Sequence, residues 1–137
     1  MERRPNEDLV IDASALVELL LSTTLGRSVE ERIDGRHLHA PAHIDAEVLS
    51  AIGRLVRAGK VSEKEASVRI RGLMAIPIER HLLPDLLSGA WRRRRNVALV
   101  DALYVELAEA LTAPLITFDA RLVRSSRLAE MPQPTKP

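Results

Sequence analysis

Leu9-Val10-Ile11-Asp12-Ala13-Ser14, near one end of the chain, and Leu115-Ile116-Thr117-Phe118-Asp119, near the other, share a pattern: a short apolar run closed by an aspartate. A run of this length without polar alternation reads as a strand buried on both faces, and such strands belong to parallel sheets covered by helices. Ligands of open parallel sheets gather outside the carboxyl ends of the strands. Asp12 and Asp119 are therefore expected on one edge of one sheet. Each also suits the N-cap of the helix that follows, a common place for aspartate.

Working outward, Ala15, Leu16, Val17, Leu19, Leu20 and Leu21 predict a helix packed over most of its circumference, and a second short helix lies between Gly26 and Gly35. Arg36–Ala40 reads as a strand ending at Pro41. A helix from there to about Ala58 places Ile44, Val48, Ile52, Leu55 and Val56 on one side, with Gly59 as its stop. Ser62 caps the next helix, and Ala75–Ile78 is a third strand candidate. Leu82–Arg94 is a helix with Pro84 in its first turn, and Ala98–Leu111 a longer one that leads through Pro114 to the last clear strand. A short helix spans Asp119–Arg127. Strands alternating with helices, without hairpin turns, predict an α/β fold: a single-domain α/β/α sandwich on a parallel sheet of about four to five strands. The domain is expected at 8–127, with a leader at 1–7 and a tail at 128–137.

The chain has 137 residues, room for one domain, and 46% of them are hydrophobic, enough for a real core. With no cysteine, disulfides, thiolate metal sites and cysteine nucleophiles are excluded. No signal-peptide pattern is seen, and no segment nears the roughly 18 apolar residues of a membrane span, so a cytoplasmic protein is expected. Net charge is only +1, and lysine occurs just at Lys60, Lys64 and Lys136, so arginine carries the positive charge in a form suited to phosphates and carboxylates.

Asp101 falls inside the apolar arc of its helix, with Leu103, Tyr104, Leu107 and Leu111, whereas Glu106 and Glu109 lie opposite. Turning a charge toward the core needs compensation. In the helix after Pro41, periodicity favours Asp45 as the inward acid, with Glu47 to the side. Carboxylates gathered in one pocket repel strongly: two unit charges at about 4 Å cost about 4 kcal/mol at an effective dielectric of about 20. A bound hard cation or protonation relieves this. All-oxygen ligation points to Mg²⁺ or Mn²⁺, and the fitting chemistry is phosphodiester hydrolysis.

These residues stand in motifs that resemble the VapC-type toxins of the PIN-domain family. They are Val10-Ile11-Asp12-Ala13-Ser14-Ala15-Leu16-Val17; Ala40-Pro41 leading to Glu47-Val48-Leu49-Ser50-Ala51; Asp101-Ala102-Leu103-Tyr104-Val105-Glu106-Leu107-Ala108; and Pro114-Leu115-Ile116-Thr117-Phe118-Asp119-Ala120-Arg121-Leu122. Their order and spacing match over roughly residues 8–125. The resemblance implies a metal-dependent endoribonuclease with Asp12, Glu47, Asp101 and Asp119 as catalytic and metal-binding acids. It chooses Glu47 over Asp45 and makes Ser14 and Thr117 polar supports of the site. It also implies a homodimer and inhibition by a cognate VapB-type antitoxin whose C-terminal segment lies across the pocket. Val100 departs from the pattern, since relatives often carry an aromatic residue before the third acid; an effect on packing rather than chemistry is expected.

Arg92-Arg93-Arg94-Arg95 reads first as a solvated helix C-terminus, where cations are favoured, and second as an RNA contact. Trp91 is expected in core or dimer packing, and Tyr104 in a structural role. His37, His39, His43 and His81 show neither a catalytic partner nor metal-ligand spacing, although His37 and His39 share a strand face. A phosphoacceptor receiver domain would need an acidic pair after the first strand and a lysine after the last, and a haloacid-dehalogenase-like phosphatase an Asp-x-Asp. All are missing here. The remaining alternative is a PIN fold retained as an RNA- or protein-binding module without turnover.

Overall fold

The computed structural model describes residues 7–134. The leader proposed at 1–7 lies, but for Glu7, outside the described residues, as do the last three residues of the proposed tail. Five strands and seven helices alternate: β1 Asp8–Ile11, α1 Ala13–Leu20, α2 Thr24–Ile33, β2 His37–Pro41, α3 Ile44–Arg57, α4 Glu63–Ala75, β3 Ile78–His81, α5 Pro84–Arg92, α6 Leu99–Leu111, β4 Leu115–Ile116, α7 Ala120–Ser125 and β5 Ala129–Glu130.

All strand pairs are parallel, in the order β3-β2-β1-β4-β5. The α/β expectation thus holds, with five strands. Leu9, Val10 and Ile11 of the central strand are fully buried, as a strand covered on both faces must be. Helix α6 lies against β1, β2 and β4, with α5 packed on it, while α1 packs on α2, α3 and α4. Gly26 is needed where α2 crosses α1, because a methyl group there would run into the Glu18 carbonyl.

The order has a consequence for function. After β1 the sheet grows toward β2 on one side, and later toward β4 on the other, so the point where direction reverses lies between β1 and β4. A crevice opens there, at the carboxyl ends.

Three elements differ from expectation. The third strand is Ile78–His81 rather than Ala75–Ile78, because α4 runs on through Ala75 and is ended by Ile76, extended ahead of Pro77. It is an edge strand, which explains its polar Glu79-Arg80-His81 sequence. Phe118 lies outside β4, which ends at Ile116. The segment from 128, expected as tail, instead begins with β5, and Thr117 N–H donates to the Glu130 carbonyl at 3.1 Å.

Candidate active site

Asp12 follows the last residue of β1 and is only 5% exposed. Its backbone N–H donates to the Ile116 carbonyl of β4 at 3.1 Å, which fixes it at the switch point. Its carboxylate caps α1, accepting from Ala15 N–H at 3.0 Å, so the helix-cap reading is true of its geometry. It does more than cap. Ser14 Oγ donates to one oxygen at 2.6 Å, and Thr117 Oγ1 donates to the other. Ser14 Oγ in turn accepts from Phe118 N–H at 3.0 Å, and Thr117 Oγ1 from Asp119 N–H at 2.9 Å. Burial pushes the Asp12 carboxyl above its ordinary range, and these three donors and the charge of Asp101 leave it there.

Asp119 begins α7, its side chain accepting from Arg121 N–H at 2.9 Å. Burial raises its pKa, but the Arg121 and Leu122 amides and the Arg121 guanidinium, 3.4 Å away, hold it below the usual value. Asp101 stands in the first turn of α6, where the helix N-terminus favours an anion. Burial nevertheless pushes it up, as do the charges of Asp119 and Glu47, with Arg121 and His43 opposing.

Glu47 and Asp45 part company. Ile44, Val48 and Ile52 turn α3 onto the core. Asp45 then meets Arg80 of β3 in a forked ion pair of 2.8 and 2.9 Å, away from the other acids. The inward acid of the helical wheel is therefore a structural one. Glu47 Oε1 accepts from Tyr104 Oη at 2.6 Å and lies 3.2 Å from His43 Nε2. Burial raises Glu47, but His43 and Tyr104 outweigh it and the carboxyl lies below its ordinary value.

Tyr104 and His43 were not anticipated as site residues. Tyr104 is 1% exposed, and burial and Glu47 push its hydroxyl far above the usual range, so it is a permanent donor. His43 also faces the Val100 carbonyl at 3.2 Å and lies against the Tyr104 ring, centroids 4.9 Å apart. Its spacing of four residues before Glu47 was the one signal available in the sequence.

The four acids thus stand just after β1, in α3, in α6 and just before α7, and Asp101 interacts through charge with each of the other three. Among the described residues they do not bring three ligand atoms to within 4.8 Å of one another; the triad that does is His39, Glu79 and His81, on β2 and β3. A looser, all-oxygen set suits an ion that keeps several waters, as Mg²⁺ does. The two raised carboxyls, Asp12 and Asp101, are where a cation would relieve strain, so the residues fit such an ion.

A cleft of about 560 Å³ opens beside the acids, lined among others by Ser14, Glu18, Glu47, Arg54, Lys60 and Phe118. Arg54 and Lys60 are its cations, and the sequence reading had not singled them out. In the expected arginine run, Arg93 Nε donates to Glu106 at 3.1 Å, and Arg94 lies 4.7 Å over the Trp91 ring. Arg93 thus ties the end of α5 to α6, and Arg94 folds back on α5. Trp91 is not core: it is 57% exposed, and with Leu87, Leu99 and Val100 it forms an apolar surface around a cleft of about 330 Å³.

An acid-lined crevice at the switch point of a five-stranded parallel sheet defines a class, and comparison gives it a name. The chain belongs to the PIN-domain family, whose model matches residues 9–128. Ribonuclease VapC3 of Mycobacterium tuberculosis is 48% identical over 122 residues, 88% of this chain and 89% of that protein. Ribonuclease VapC12 of the same organism is 41% identical over 117 residues, 85% and 91% of the two chains. The crystal structure of PAE2754 from Pyrobaculum aerophilum shares the fold, with a TM-score of 0.67 at 22% identity, covering 92% of this chain and 83% of that one.

Proposed function

We propose that the chain is a metal-dependent endoribonuclease toxin that hydrolyses RNA phosphodiester bonds, with Asp12, Glu47, Asp101 and Asp119 as its catalytic acids and Mg²⁺ or Mn²⁺ ligands. The observation that supports this most is the repulsion of Asp101 with Asp12, Glu47 and Asp119, acids from four parts of the chain, in a chain whose relatives are named VapC ribonucleases. When bound there, a divalent ion lowers the pKa of an attacking water and steadies the charge on phosphate and leaving oxygen.

The chain's own residues do the rest. Ser14 and Thr117 hold Asp12 from both oxygens, and Tyr104 and His43 aim Glu47. Arg54 and Lys60, in the same cleft as Ser14 and Glu47, meet the phosphates on either side of the scissile one. Arg92 and Arg95 are the remaining arginines of the run for RNA contact. A cognate VapB-type antitoxin covers the acidic cleft. A second copy of the chain covers the apolar surface of α5 and α6, where Leu87, Trp91, Leu99 and Val100 are exposed, since α1 is largely packed within the domain. No described helix is long and apolar enough to cross a membrane, which accords with a cytoplasmic toxin.

The test is cleavage of RNA by contaminant-free protein, with Mg²⁺ or Mn²⁺ and with chelator. Divalent-dependent cleavage is expected. Undiminished cleavage in excess chelator contradicts the metal role, and binding of RNA without cleavage under any of these ions favours the non-catalytic module.

A further inference from the structure

We propose that His39, His81 and Glu79 form a second divalent-cation site, of the zinc class, on the β2–β3 edge of the sheet, separate from the acidic crevice. The proposal stands independently of the nuclease reading. Pairing of His39 with Glu79 and of Pro41 with His81 puts the three side chains on one face of the two strands. Their ligand atoms all lie within 4.8 Å of one another: His39 Nδ1 is 2.9 Å from His81 Nε2 and 3.3 Å from Glu79 Oε2.

The protonation pattern follows from Asp8. His39, nearly buried, has its Nε2 2.8 Å from Asp8 Oδ1. A carboxylate only accepts, so Nε2 carries a proton, and in the neutral ring Nδ1 presents a lone pair. A carboxylate behind a histidine in this way is the arrangement that orients imidazoles toward metals. Nδ1 thus faces two groups, of which the Glu79 carboxylate is itself an acceptor. A proton on His81 Nε2 satisfies Nδ1 but leaves Glu79 opposed to it; one cation satisfies all three.

Distance and donor type agree. Ligands about 2.0–2.1 Å from a tetrahedral zinc are about 3.3 Å apart, so the two separations from His39 Nδ1 need to open by a few tenths of an ångström, and His81 and Glu79, within 4.8 Å of each other, are in reach of the same ion. Two imidazoles and a carboxylate suit zinc, cobalt, nickel or copper, whereas the crevice offers only oxygen. Glu79 is 69% exposed, so an ion reaches the site from solvent. The three ligands come from β2 and β3, and none of the four crevice acids is among them, which keeps the two sites distinct. An ion here would staple edge strand β3 to β2, and with it Arg80, the partner of Asp45.

The experiment uses the tag-free full chain, stripped by chelator. Zn²⁺ is titrated against a chromophoric chelator, and Co²⁺ is followed by its visible absorption. One equivalent should bind with a tetrahedral Co²⁺ spectrum, and zinc should raise the melting temperature by several degrees. His81→Ala and Glu79→Gln should each weaken binding at least 10-fold, and Asp8→Asn roughly 10-fold, the usual scale for a supporting carboxylate. Asp101→Asn should leave it unchanged. Should His81→Ala fail to fold, the solvent-facing Glu79→Gln decides. No zinc binding at micromolar concentrations, the outcome a protonated His39 shared between Asp8 and Glu79 predicts, overturns the proposal. So does affinity unaltered in Glu79→Gln, or lost in Asp101→Asn, which would put the ion in the crevice.

Discussion

Tyr104→Phe removes one oxygen from the protein interior and leaves the ring against His43 in place. The hydroxyl donates at 2.6 Å to Glu47 Oε1, and no water replaces it easily where Tyr104 is 1% exposed. A hydrogen bond to a charged acceptor contributes about 1.5–3 kcal/mol. The Glu47 side chain is 31% exposed, so solvent recovers part of this and a loss of about 1–2 kcal/mol is expected at neutral pH. Losing a donor to the charged form should also raise the Glu47 pKa. Glu47 lies below its ordinary value when folded. A carboxyl depressed by folding adds stability above its unfolded pKa, about 4.3, and loses it as pH falls through the folded value. The cost of Tyr104→Phe should therefore be largest at pH 7 and shrink below about pH 4. Urea unfolding of both proteins in chelator, at neutral and acid pH, measures it. An equal cost at both pH values, or none at pH 7, would refute the assignment of Tyr104, beside His43, as a group that holds Glu47 ionised.

Asp12, in contrast, is raised on folding, so its contribution is fully present below the unfolded pKa and is lost as pH rises through the folded one. Asp12→Asn should leave the metal-free protein at pH 7 as stable as wild type or more so, and should abolish the rise in melting temperature that Mg²⁺ gives wild type. A clear loss of metal-free stability would mean that the ionised carboxylate, held by its three donors, stabilises the fold on balance, contrary to this reading. Gly26→Ala drives a methyl into the Glu18 carbonyl and should cost about 1–3 kcal/mol in thermal unfolding; an unchanged melting temperature would mean that α1 and α2 are spaced more widely. Light scattering should find a dimer at micromolar concentration and a monomer for Trp91→Glu, whereas a wild-type monomer would leave the α5–α6 surface without its proposed partner.

Sequence reading located the sheet best where one residue run carries the whole signal. Leu9–Ile11 could hardly be anything but a central strand, and the acid after it necessarily emerges at the carboxyl edge. The readings that failed depended on partners remote in sequence. A helical wheel sees one helix, so it could not know that Arg80 of β3 neutralises Asp45 and leaves Glu47 to face the other acids. Tyr104 sits on an apolar arc and reads as packing; its polar end is used by a residue 57 positions away. β5 has two residues and hence no periodicity, and its existence rests on pairing with β4. His39 and His81 looked unrelated in the sequence because only the β2–β3 register brings them together.

The most direct test of the account is RNA cleavage by an acid-to-amide series, each variant first shown to be folded. Asp12→Asn, Glu47→Gln, Asp101→Asn and Asp119→Asn change charge but hardly shape, and asparagine also caps helices well. The account predicts that all four lose Mg²⁺- or Mn²⁺-dependent cleavage, while Asp45→Asn, which breaks only the pair with Arg80, cleaves as wild type does. Wild-type cleavage by Glu47→Gln together with loss in Asp45→Asn, or persistence of activity in the three aspartate variants, would contradict it.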